Sequence, residues 1–167
     1  MAQELKSKVA IIGGGPAGCI CAYFLQNNFD VTIFDKKAPL KTLLPTGGGR
    51  CNLCHAEYDF KELASNYPRG EKFLYSVFSK FATAETIEFF ENIGIKTYVQ
   101  DDMRIFPVSN SSADVREKFL KTLNKVRFVK EEVLRINEGF SVVTNMGAYK
   151  ADYVVIATGG HSSYDLI

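Results

Sequence analysis

Residues 8–35 read KVAIIGGGPAGCICAYFLQNNFDVTIFD, and the fold follows from how this stretch divides. KVAII at 8–12 is a short β-branched run, the pattern of a strand buried on both faces. Gly13, Gly14 and Gly15 end it. Pro16 then suits the first turn of a helix, where a missing N–H costs nothing. Ala17, Ile20, Phe24 and their apolar neighbours give that helix a broad buried face, which runs out near Asn27 and Asn28. VTIFD at 31–35 is a second strand, and the right-handed crossover rule makes it parallel to the first.

The turn between the first strand and the helix carries chemistry. Gly13 through Gly18, GGGPAG, fits G-x-G-x-x-G in the strand-to-helix context that pattern needs. Gly13 permits the tight turn, Gly15 lets a pyrophosphate approach the backbone, and Gly18 lets helix and strand pack closely. The anion would rest on the helix N-terminus, where unpaired N–H groups and the helix dipole favour it. Asp35 lies 22 residues beyond Gly13, where an acid is expected to accept hydrogen bonds from a ribose hydroxyl. Its carboxylate would repel a 2′-phosphate, whereas Lys36 and Lys37 pull the other way. The plainer reading is a glycine-rich turn in a doubly wound fold with no ligand.

Farther along, TGGGR at 46–50 predicts a loop, since three successive glycines lose the most backbone entropy in a helix or strand. Such a loop can form a concave nest for an anion, with Arg50 adding a bidentate cation, or it can be plain surface. Helices are predicted at 60–66, 71–81, 84–92 and 112–123, with Thr83 as an N-cap and Gly94 as a C′ residue. Strands are predicted at 95–99 and 126–129. Short strands at 133–136, 140–144 and 148–150, separated by Glu138-Gly139 and Asn145-Met146-Gly147, predict an antiparallel meander. YVVIA at 153–157 is a last buried strand running into Thr158, Gly159 and Gly160. RIFP at 104–107 reads as a strand edge closed by a proline, or as a place where Arg104 reaches a ligand.

CNLCH at 51–55 has C-x-x-C-H spacing. Structural cysteines, a redox-active thiol pair and a metal site are all compatible with it, although a zinc site would lack a fourth ligand. His55 and His161 are acid–base candidates by residue type alone, so the catalytic residues are unknown at this level.

Composition narrows the classes. The 167 residues carry 20 basic and 19 acidic side chains, a net charge of +1, with 46% hydrophobic and 23% charged residues. Those fractions are those of a globular chain, and near-neutral charge argues against a nucleic-acid module. No run of about 20 apolar residues is present to span a membrane. MAQELKSKVAII does not read as a signal peptide, so the expected location is cytoplasmic, with reduced cysteines.

Four blocks carry a family resemblance: IIGGGPAG at 11–18, TGGGRCN at 46–52, RIFPVSN at 104–110 and ATGG at 157–160. With them the chain resembles a bacterial family of NAD(P)/FAD-dependent oxidoreductase flavoproteins. Some of its members are described as aminoacetone oxidase-like and others as bile-acid reductases acting on steroid double bonds. The resemblance implies an α/β fold, a doubly wound parallel Rossmann-like FAD-binding sheet with an antiparallel β-meander and extra helices. It implies that Gly13, Gly15, Pro16, Ala17, Gly18, Asp35 and Lys36 hold the ADP half of FAD. Gly48, Gly49, Arg50 and Cys51 would lie along the pyrophosphate and flavin side. Val133 would contact adenine through its backbone, and Ala157, Thr158 and Gly159 would close the site.

Proteins of that family usually continue for at least as many residues again. The expectation is therefore that residues 1–167 form a partial FAD/NAD(P)-binding domain, without the inserted substrate domain and the returning C-terminal segment. Hydride would pass between NAD(P)H, FAD and a small organic substrate in the whole protein, and this portion alone would be inactive. Such a truncated domain could self-associate through uncovered apolar surface. Two other classes stand beside this one: a flavin-dependent protein of the RNA-modifying type, and a non-catalytic nucleotide-binding module.

Overall fold

A computed structural model describes residues 6–160. In chain order its strands are β1 (Lys8–Ile12), β2 (Asp30–Phe34), β3 (Cys54–His55), β4 (Thr97–Val99), β5 (Arg104–Pro107) and β6 (Arg127–Val129). They continue with β7 (Val133–Asn137), β8 (Ser141–Thr144), β9 (Ala148–Lys150) and β10 (Tyr153–Ile156). The helices are α1 (Pro16–Leu25), α2 (Phe60–Ser65), α3 (Glu71–Phe78), α4 (Thr83–Asn92) and α5 (Ser112–Thr122). Two compact units result: the chain up to Leu43 joins the chain from Leu120, and Leu44–Phe119 forms the other.

The first unit is the predicted α/β domain. Its parallel sheet runs β10-β1-β2-β6, with Ile11 opposite both Ile33 and Val155. Side chains alternate across a strand, so each face of β1 has its own partner. Ile11 turns toward Gly18 of α1. Ala10 and Ile12 pack with Phe34, Val142 and Ala151 in a cluster that brings in the second, antiparallel sheet β7-β8-β9. The Phe34 and Tyr149 rings meet edge-on, 5.0 Å apart between centroids. Both faces of β1 and β2 are therefore covered: Val9–Ile12 are apolar without alternation, and the buried Thr32 of β2 has its Oγ1 accepting from Arg127 Nε at 3.1 Å.

The second unit holds the antiparallel sheet β3-β5-β4 and helices α2, α3 and α4. Several expectations are corrected here. RIFP at 104–107 is the central strand of this sheet rather than an edge, with Ile105, Phe106 and Pro107 fully buried. The strand on its other side is only Cys54–His55, too short to show in a sequence pattern. Thr83 is the first residue of α4 instead of its N-cap. Its Oγ1 donates to the His55 carbonyl at 3.0 Å, while the cap residue Ala82 has its N–H bonded to the Glu85 carboxylate at 2.9 Å. The 46–50 stretch is a glycine turn, as predicted: Gly47, Gly48 and Gly49 have φ of +57°, +67° and +86°, which no regular helix or strand accommodates. The strand expected from residue 95 starts at Thr97, and the helix expected to residue 81 stops at Phe78. Gly94, at φ +83°, ends α4 as predicted.

Candidate functional site

The C-terminal ends of β1, β2 and β10 come together around the glycine loop. The Gly13 N–H donates to the Phe34 carbonyl at 2.8 Å and the Ala157 N–H to the Ile12 carbonyl at 2.8 Å. Gly14 is held through both of its backbone groups. Its N–H donates to Asp35 Oδ2 at 2.7 Å, and its carbonyl accepts from the Leu40 N–H at 2.7 Å and from the Cys19 thiol at 3.5 Å. The loop is thus fixed before any ligand arrives.

Its three signature glycines answer to different neighbours. A Cβ on Gly13, where φ is +111°, would lie 2.3 Å from the Ala157 carbonyl oxygen. A Cβ on Gly18 would lie 2.0 Å from the Gly13 carbonyl oxygen. On Gly15 it would meet nothing nearer than Thr42 Oγ1 at 3.8 Å. Gly13 and Gly18 are therefore demanded by the fold, whereas the space over Gly15 is left open. Pro16 and Ala17, both exposed, begin α1 directly behind it.

Beside the loop lies a cavity of about 430 Å³, within the size range of small-molecule sites. Of the residues singled out in the sequence, Gly13, Asp35, Lys36, Val133 and Thr158 line it. Ala157 and Gly159 flank Thr158 at the end of β10. Lys37, weighed beside Lys36 in the sequence, lines it too, and so do Ile12, Phe34, Glu131 and Glu132, which were not anticipated. The acidic pair immediately before Val133 was the available signal for the last two.

Asp35 is an acceptor for the chain's own backbone. Besides Gly14, its Oδ1 accepts from the Lys37 N–H at 2.7 Å. A carboxylate offers about four acceptor positions, so two remain for a ligand. Lys36 Nζ pairs with Glu132 Oε1 at 2.8 Å, and this partner raises the lysine pKa. Glu131 accepts from Thr144 Oγ1 at 2.6 Å and from the Tyr149 hydroxyl at 2.8 Å.

Gly48, Gly49, Arg50 and Cys51 belong to the second unit. There the Arg50 guanidinium lies 4.1 Å from the Phe106 ring centroid, and it donates to Gln100 Oε1 at 3.2 Å and to the Gly47 carbonyl at 3.3 Å. Arg104 reaches the same ring at 5.5 Å and pairs with Asp102. Gly47, not among the expected residues, is the glycine this turn cannot replace: a Cβ there would stand 2.7 Å from the Asn52 nitrogen. Cys51 is buried at φ +66°, and its N–H donates to the Thr46 carbonyl at 3.0 Å. His55 is exposed on β3, and His161 lies outside the described residues.

Burial pushes the Cys51 thiol up, partly offset by a hydrogen bond with Thr46, and pushes Cys54 up to about 11. Thiols kept protonated are poor nucleophiles, which favours the structural reading of C-x-x-C over the redox one. A thiol with a raised folded-state pKa contributes stability that is whole below its unfolded value, near 9, and is lost as pH rises through about 11. The expected result is a thermal midpoint that falls between pH 9 and 11 and falls less in Cys54→Ala. Equal slopes for the two proteins would show that Cys54 titrates as an ordinary thiol. Among the described residues no group of three or more His, Cys, Asp or Glu side chains converges as metal ligands would. Nor is any described helix long and apolar enough to cross a membrane.

Comparison with known proteins agrees with this geometry. Over 172 aligned residues the chain is 32% identical to the 3-dehydro-bile acid delta(4,6)-reductase of Clostridium scindens, covering 96% of this chain and 41% of that protein. It superposes on the Diels-Alderase PyrE3 of pyrroindomycin biosynthesis with a TM-score of 0.53 at 19% identity, covering 92% of this chain and 32% of the other. With Thermovibrio ammonificans THI4 the TM-score is 0.53 at 15% identity, covering 92% and 57%. Likenesses at these identities establish the fold alone. Residues 7–166 match the HI0933-like protein Rossmann domain, and the chain belongs to that family.

Proposed function

We propose that this chain is the FAD-holding portion of a flavin-dependent oxidoreductase. One observation carries the reading: a pre-fixed glycine loop, open only over Gly15, adjoins a cavity that ends at Asp35 and Val133. A cradle that a single Cβ would obstruct fits a ligand whose phosphates touch backbone, and an acid with two spare acceptor positions fits a ribose. Gly13, Gly15, Pro16, Ala17 and Gly18 hold the pyrophosphate. Asp35 and Lys36 hold the ribose side, Val133 meets adenine through its backbone, and Ala157, Thr158 and Gly159 close the site. Gly48, Gly49, Arg50 and Cys51 serve the flavin side.

FAD, held by these residues, would supply hydride chemistry between NAD(P)H and an organic substrate. The residues of this chain bind and orient: within the first unit the α1 N-terminus offers aligned N–H groups to phosphates, and within the second Arg50 is a cation held over Phe106 and tethered to Gln100. The likeness to a reductase supports an organic acceptor as the final destination of the hydride. The chain spans 41% of that relative's length.

Titration of FAD into the purified chain, with a visible spectrum of the protein as isolated, tests this. Micromolar binding or a yellow protein is expected, and no FAD binding would sink the proposal. Asp35→Ala should weaken binding by about 1–3 kcal/mol through the lost charged hydrogen bond. It should also lower stability, because the Gly14 and Lys37 N–H groups lose their acceptor. Unchanged affinity would mean that Asp35 serves the loop only.

A further inference from the structure

Lys36 directly follows the acid at the end of β2, a neighbourhood where a cation can seize a ribose 2′-phosphate. In this chain that cation is already engaged, with its Nζ on Glu132 Oε1 at 2.8 Å. Glu132 is clamped in place through its backbone. Its N–H donates to Asn145 Oδ1 at 3.0 Å, and its carbonyl accepts from the Asn145 N–H at 3.0 Å. Neighbouring Glu131 is oriented away from this role by its own two hydrogen bonds, from Thr144 Oγ1 and the Tyr149 hydroxyl. The cavity wall thus sets three carboxylates, Asp35, Glu131 and Glu132, against Lys36 and Lys37.

We infer that Glu132 is a specificity-determining residue: by holding Lys36 it makes the pocket accept an adenosine whose ribose hydroxyls are free and reject one bearing a 2′-phosphate. The inference rests on reading this cavity as the adenosine end of a dinucleotide site. A 2′-phosphate brings close to two negative charges beside Asp35. The single positive charge of Lys36, already shared with Glu132, cannot also neutralise both of them, so the phosphate meets Asp35 and Glu132 under-compensated. Lys37 lines the same wall, where its backbone N–H is bonded to Asp35 Oδ1. The residue is invisible to the usual rule, which looks only at the acid ending the second strand.

The test compares ADP-ribose with its adenosine 2′-phosphate derivative by calorimetry on the wild-type chain, Glu132→Gln and Glu132→Gln/Lys36→Gln. Wild type should prefer ADP-ribose at least tenfold. In Glu132→Gln the affinity for ADP-ribose should stay within threefold while the preference shrinks at least fivefold. Removing Lys36 as well should restore the preference, which a merely structural role for Glu132 would not do. A preference within twofold of wild type in Glu132→Gln overturns the inference, as does equal binding of the two ligands to wild type. Failure of both ligands to bind any of the proteins overturns the adenosine reading itself and the inference with it.

Discussion

Gly15→Ala is expected to weaken FAD binding at least tenfold while leaving the free chain as stable as the parent. The two halves of this result have separate causes. Gly15 has φ −76° and ψ −176°, a backbone conformation open to any L-residue, and the added Cβ would have only Thr42 Oγ1 for a neighbour, at 3.8 Å. Replacing glycine at such a position gains about 0.4–1 kcal/mol because the unfolded chain has less freedom to lose, a gain offset because Gly15 is the N-cap of α1, where alanine is poorer than glycine. In the complex the same methyl group occupies the space where a pyrophosphate must touch the backbone. Overpacking of that kind costs about 1–3 kcal/mol, and 1.4 kcal/mol is one factor of ten in affinity. Calorimetric titration and a melting curve on the same sample check both halves. Binding unchanged from wild type would mean that the phosphates do not approach this loop, and the dinucleotide assignment would lose its main support.

How much of this could be read beforehand depended on the range of the interactions involved. The β1–α1–β2 unit was legible because its signals are local: a β-branched run, a glycine break, a proline at the helix start and an apolar helix face, all inside residues 8–35. Asp35 was legible as an acid at the right distance, but its two backbone hydrogen bonds were not, because they depend on how the loop curls back over β2. The second unit was read less well. β3 has two residues and no pattern, so its partner β5 was misplaced at an edge. Gly47 looked no different from Gly48 and Gly49, and only the approach of Asn52 and Phe106 separates it from them. The Lys36–Glu132 pair joins residues 96 apart in sequence, a contact that neither spacing nor periodicity encodes.

Gly18→Ala reverses the logic of Gly15→Ala, and the contrast isolates what folding demands from what a ligand demands. By intrinsic propensity the change should help, since glycine inside a helix is about 1 kcal/mol worse than alanine. The packing forbids it. The new Cβ would stand 2.0 Å from the Gly13 carbonyl oxygen and 3.2 Å from both the Gly13 carbonyl carbon and Ile11 Cγ2. The obstacle is backbone of the loop, which is tied at Gly13 to β2 and at Gly14 to Asp35, Leu40 and Cys19. Neither side can yield cheaply: α1 must withdraw from β1 by more than 1 Å, or the loop must break bonds that also shape the cavity. A loss of about 3 kcal/mol is expected, at the upper end of overpacking penalties. For a chain of this size that lowers the thermal midpoint by roughly 6–12 °C. Thermal and urea denaturation of Gly18→Ala beside Gly15→Ala would show the difference directly. A Gly18→Ala midpoint within about 2 °C of wild type would mean that helix and strand have slack that the 2.0 Å contact denies. Gly13→Ala should be at least as damaging, because its φ of +111° adds backbone strain to a 2.3 Å contact with the Ala157 carbonyl oxygen.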